Sequence, residues 1–115
     1  MSWDNSTGMP FEAIDAYIED VGGRRLADGE WGLEVDGAEI GLRVAKGLLR
    51  AQSWAAPAGA FDAADLLHRN RSLELVRYAC TKAGEVWVVG DVPADDAPVD
   101  RLLGALVEAV GALRR

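Results

Sequence analysis

Two dipeptides constrain this chain more than any other feature. Asp36-Gly37 lies between Trp31-Gly32-Leu33-Glu34-Val35 and Ile40-Gly41-Leu42-Arg43-Val44, two segments in which an apolar side chain recurs at every second residue. Period two is the repeat of a half-buried strand. Asp-Gly supplies the two positive-φ positions that a two-residue hairpin turn requires. Lys46-Gly47 makes a second turn, and Leu48 to Trp54 follows as a third strand. A meander with one apolar face must bury that face against something else.

Helical segments on either side supply the cover. Pro10 suits a first helical turn, and Phe11, Ile14, Ile18 and Val21 then recur at helical spacing until Gly22-Gly23. Residues 1–9 read as a flexible tail. After the connector Ala55 to Ala60, Asp62 reads as an N-cap with Asp65 three residues on. A short helix from Ala63 to Arg69 or Asn70 follows, with Leu66 and Leu67 on it. Leu73 to Thr81 and Glu85 to Val92 read as strands around a Lys82-Ala83-Gly84 turn. The second of these, Val86-Trp87-Val88-Val89, is apolar on both faces and so is placed inside the sheet. Asp95 and Asp96 precede Pro98 and a final helix to Arg114, striped by Val99, Leu102, Leu103, Leu106, Val110 and Leu113. A second stripe of Ala105, Ala109 and Ala112, with Gly104 and Gly111 nearby, either packs closely inside the domain or meets a second subunit.

The expected fold is therefore α+β, in the order α-β-β-β-α-β-β-α. A five-stranded antiparallel sheet is packed by helices in a single domain over residues 10–115, and 115 residues leave no room for two ordinary domains.

Charge narrows the partners. Twelve basic and 19 acidic side chains give a net charge of −7, and no basic run offsets the repulsion of a phosphate backbone. Nucleic acid is therefore not an expected partner. No apolar run approaches the roughly 20 residues of a spanning helix, so no membrane contact is expected. The one cysteine, Cys80, excludes an internal disulfide and reads as a buried, inert thiol. With no signal pattern before Met9, a cytoplasmic location is the expectation and Asn5-Ser6-Thr7 is read as a chance sequon.

Catalytic motifs are sparse. His68 is the one histidine, three residues after Asp65 on the short helix. Asp91, Asp95, Asp96 and Asp100 lack the spacing of a calcium loop. No phosphate loop, dinucleotide fingerprint or nucleophile elbow occurs. No catalytic residue, cofactor or metal is assigned, and the chain is read as a non-enzyme. The four tryptophans say more. Trp31 and Trp87 are expected in the core, Trp54 at a strand end is expected partly exposed, and Trp3 lies in the tail.

From Leu66 to Pro93 the chain is similar to YbjN-like proteins. The likeness rests on Leu66-Leu67-His68-Arg69-Asn70, then Leu73, Leu75 and Tyr78, then Gly84-Glu85-Val86, and Asp91-Val92-Pro93. Val76 departs from the pattern, where many such sequences have glycine. The element order also resembles the related type III secretion chaperones. This resemblance implies a small acidic chain, homodimeric, that binds another polypeptide without ATP. Strand edges and apolar pockets are the chemistry such binding uses.

Leu66 and Leu67 are then the candidates for a subunit interface. Trp54, with the edge of the first three strands, is the candidate for a partner, and Tyr78 joins the contact set. An alternative, a small-molecule or catalytic pocket, would have to gather Tyr78, His68, Arg43 and Arg77. An immunity-type regulatory protein with one fixed partner is a further alternative. Asn70 reads as a helix C-cap.

Overall fold

The computed structural model describes residues 3–95 and 97–115, with side chains from Glu12 onward. The elements are α1 (Trp3–Asp20), β1 (Arg24–Ala27), β2 (Glu30–Val35), β3 (Ala38–Ala45), β4 (Leu48–Ala56), α2 (Ala63–Asn70), β5 (Val76–Cys80), β6 (Val86–Pro93) and α3 (Val99–Arg114). The strands form one antiparallel sheet in the order β1-β2-β3-β4-β6-β5. The connection through α2 carries the chain past β4's neighbour position to the sheet's far edge, and β6 returns into the gap.

Both hairpin turns have the backbone their sequence demands. Asp36 and Gly37 have φ of 51° and 83°, and Lys46 and Gly47 have 55° and 78°. Both residues of each pair are thus left-handed, so the turn twist matches that of the flanking strands.

Strand registers sort the side chains into two faces. On the buried face one row runs Trp31, Leu42, Ala51, Gly90 and Val76 across five strands. Its two smallest members, Ala51 and Gly90, are neighbours on β4 and β6. A Cβ built on Gly90 would stand 2.8 Å from Leu102 Cδ1 and 2.6 Å from the Leu75 carbonyl oxygen. The missing side chain is what lets α3 lie so close to β6. Leu102, Leu106 and Val110 are at most 1% exposed there, each contributing about 1.5–3 kcal/mol on burial.

Side-chain bonds tie these elements together. The Tyr78 hydroxyl donates to the Ala109 carbonyl at 2.7 Å, tying β5 to α3. The Ser53 hydroxyl donates to the Glu39 carbonyl at 2.7 Å, extending the β3–β4 contact past the ladder's end at Gly41 and Gln52. The Tyr17 hydroxyl donates to Asp100 at 3.1 Å, joining α1 to α3. Ile14 and Ile18 bury α1 against the β1–β2 side, and the Trp31 indole N–H donates to Asp15.

Several expectations need correction. Among the described residues the sheet has six strands, not five. β1 escaped the pattern because all four of its residues are exposed, so no apolar alternation marks it. β5 starts at Val76 rather than Leu73, since Leu75 has a φ of 70° and cannot be extended strand. Helical backbone begins at Trp3, which places Pro10 inside α1 rather than at its start. The sequence signals mark where that helix gains an apolar face, not where the backbone begins to coil. Cys80 is exposed, at the last residue of β5 beside the hairpin turn. Asp62 occupies the N-cap position of α2 but makes no side-chain cap bond. The readings of the Trp3 and Phe11 side chains and of Asp96 lie outside the described residues.

Candidate polypeptide-binding surface

Among the described residues, no helix lies on the second face of the sheet, and its composition follows from the same registers. One row is charged from end to end: Glu30, Arg43, Arg50 and Asp91. The next runs Arg24, Gly32, Gly41, Gln52, Val89 and Arg77 across all six strands. In a third row, Trp54 stands directly opposite Trp87.

The paired glycines leave bare backbone in the middle of the second row, and a Cβ on Gly41 would meet nothing within 4 Å. A shallow depression of about 540 Å³ lies there, between Leu26, Glu34, Gln52 and Trp87. Leu26 overhangs Gly32 and is 57% exposed, although it is a large aliphatic group on an edge strand.

Electrostatics stiffens one border of this face. Arg50 donates from Nε and Nη2 to the two oxygens of Asp91, at 2.6 and 3.2 Å. Arg77 approaches the same carboxylate at 3.6 Å. The Arg50 hydrogen bond, aided by the charge of both arginines, holds the Asp91 carboxyl below its ordinary range even though partial burial opposes it. Arg43 stands opposite Arg50 in the ladder.

A larger open groove, about 940 Å³, runs between the end of α1, the β2–β3 hairpin and α3. Val21, Val35 and Val107 give it apolar walls, and Asp36 and Glu108 lie on its border. Tyr17 also lines it. Desolvation first, and then the hydrogen bond to Asp100, raises that phenol's pKa. The Arg114 guanidinium closes one end by donating to the carbonyls of Gly37 and Trp54, at 3.3 and 3.1 Å. It also lies 5.8 Å from the Trp54 ring centroid.

The structure divides the sequence-predicted contact residues into two pairs. Leu67 is 68% exposed on α2 and Trp54 is 39% exposed on the open face, so both are available to a partner. Leu66 and Tyr78 belong to the core and are not on the surface. Adjacent helical positions point about 100° apart, and α2 is docked so that Leu66 faces the domain and Leu67 faces outward. The alternation of β5 points Tyr78 toward α3, where burial raises its pKa.

Trp87 also departs from expectation. It is half-buried on the open face beside Trp54, and its indole N–H is covered without a hydrogen-bond partner among the described residues. Sequence reading missed Leu26 and the glycine floor, which become a surface only once the register is known.

The four residues that a small-molecule pocket would need are not brought together. Tyr78 faces the core, His68 is exposed on α2, and β4 and β6 separate Arg43 from Arg77. Among the described residues, no three His, Cys, Asp or Glu side chains gather as metal ligands. No helix among them is long and apolar enough to cross a membrane.

No family model matches the chain, and no curated protein matches it in sequence. Solved structures do. The chain superposes with a TM-score of 0.73 on the HopA1–SchA chaperone–effector complex, at 14% identity, covering 95% of this chain and 96% of that one. A TM-score of 0.72 relates it to the Yersinia pestis type III secretion chaperone SycH in complex with a stable fragment of YscM2, at 15% identity, with 91% and 99% covered. The heterodimeric ExoU–SpcU complex from the type III secretion system of Pseudomonas aeruginosa gives 0.67 at 19% identity, with 87% and 93% covered. The fold is thus that of the type III secretion chaperones. At these identities the likeness defines the architecture alone.

Proposed function

We propose that this chain is a polypeptide-binding, chaperone-like protein that works as a homodimer in the cytoplasm and performs no catalysis. The finer kinship proposed is with YbjN-like proteins, on the motif from Leu66 to Pro93. The observation that carries the reading is a type III secretion chaperone fold in which, among the described residues, one sheet face carries no helix: Leu26 and Trp87 border the bare backbone at Gly32 and Gly41, and Trp54 stands beside Trp87. Apolar side chains beside unshielded backbone are what an extended or helical segment of another chain can use. The structural neighbours solved as complexes with partner polypeptides support the same reading.

Leu67 is the proposed centre of the subunit contact, because it is the most exposed large apolar side chain among the described residues. Light scattering of the purified chain should give the mass of two copies, and Leu67→Asp should return the mass of one with the circular dichroism unchanged. Capture from the native cell, followed by co-purification with the captured polypeptide, should yield a complex of fixed stoichiometry that forms without ATP. Failure of any polypeptide to reach fixed stoichiometry, or turnover of a small substrate, would contradict the proposal.

A further inference from the structure

The outer edge of β5 is occupied by a side chain. Asn70, the last residue of α2, donates from Nδ2 to the Tyr78 carbonyl at 3.1 Å and accepts from the Tyr78 backbone N–H at Oδ1 at 2.7 Å. A primary amide presents one acceptor and one donor side by side, as a neighbouring strand's peptide groups do. Asn70 therefore makes the pair of bonds that a seventh strand would make at this position.

Within a strand, a residue's N–H and C=O point to the same side, and the side alternates. Val76, Tyr78 and Cys80 thus direct their peptide groups away from β6, and Tyr78 is the middle one of the three. With it occupied, Val76 and Cys80 remain as outward positions four residues apart, about 13 Å at strand rise. No two consecutive outward positions are left for an incoming strand to pair with.

We infer that Asn70 is a specificity-determining plug, which closes the β5 edge to strand addition by a second copy of this chain or by an extended partner. Backbone pairing is thereby confined to the opposite edge, and contacts on this side are left to side chains of α2. The local sequence makes the plug possible. Five residues separate α2 from β5, and the left-handed Leu75 turns the chain directly before Val76. The strand therefore runs back within reach of the helix's last side chain. This role replaces the C-cap expected for Asn70, since the cap position is taken by Arg71 in an ordinary right-handed helical conformation. The inference holds for any partner that adds a strand and does not rest on the proposed function.

The test is residue-resolved amide exchange combined with sedimentation velocity on the full chain. In the unmodified protein the Tyr78 amide should exchange as slowly as the ladder amides of Arg77 and Ala79. Exchange as fast as an open edge amide would overturn the inference outright. Asn70→Ala should speed Tyr78 exchange by at least about tenfold while Arg77 and Ala79 hold their rates, because only the outer bond is lost. It should also add a heavier, concentration-dependent species in which the Val76 and Cys80 amides gain protection. Asn70→Asp keeps the acceptor and loses the donor, so Tyr78 should stay slow while association rises less. If Asn70→Ala fails to fold, Asn70→Asp carries the association readout. Sedimentation matching the unmodified chain at every concentration would overturn the inference. So would equal Tyr78 exchange in the aspartate and alanine variants, which would assign the protection to the helix rather than to the amide.

Discussion

The two ends of the sheet solve the same problem in opposite ways. At the β6–β5 end, α3 lies over Gly90, Tyr78 reaches up to the helix backbone, and Asn70 fills the outer edge. At the β1–β2 end, the outermost strand is exposed along its whole length, with Leu26 over bare backbone at Gly32. Small residues occur at both ends, but to opposite effect. Gly90 is small so that a helix can touch the sheet, whereas Gly41 is small with nothing above it. One end is finished within the monomer, and the other keeps surface in reserve.

The largest expected effect tests the finished end. Leu106 is fully buried in α3, so Leu106→Ala should cost about 2–5 kcal/mol in denaturant unfolding. An unchanged midpoint would mean that α3 is not docked as described. The glycine contrast comes next. Gly90→Ala forces a methyl group against Leu102 and the Leu75 carbonyl, at an overpacking cost of about 1–3 kcal/mol. Gly41→Ala meets no atom and should stay within about 0.5 kcal/mol of the parent. Equal costs would erase the proposed difference between the two ends.

The smallest effect is a pH dependence on the open face. Asp91 has a lowered pKa in the fold, so its contribution to stability is complete above the ordinary carboxylate value near 3.9 and fades as pH falls below it. Thermal unfolding of Asp91→Asn should lie slightly below the parent at pH 7, and the gap should shrink in acid as the carboxyl of the parent protonates. A gap that persists in acid would mean that the Arg50 pairing is not the source.

Much of this was legible in the chain. The two hairpins were, because Asp36-Gly37 and Lys46-Gly47 are chemically committed to positive φ. So was α3, because its stripe is long and its period clear. The open end was not. β1 buries nothing, so hydrophobic alternation had no purchase on Arg24–Ala27. Residue type alone places Trp87 in the core, but strand parity sends it to the opposite face from Val86 and Val88. Leu66 and Leu67 look alike in sequence, and only the docking angle of α2 decides that Leu66 is buried and Leu67 exposed. Asn70 reads in sequence as a helix-end residue, but its partner eight positions on becomes visible only when β5 folds back. The surfaces proposed for binding depend on register, and register is fixed by turns and bulges that a linear pattern reports poorly.

The open face of the sheet, with the outward face of α2, is the proposed receiver of other polypeptides. Amide exchange of the chain alone and in its co-purified complex reads this directly. Exchange should slow in β1, β2, β3 and α2, while α3 and β5 stay unchanged. Slowing confined to α3 and β5, or none at all, would contradict it.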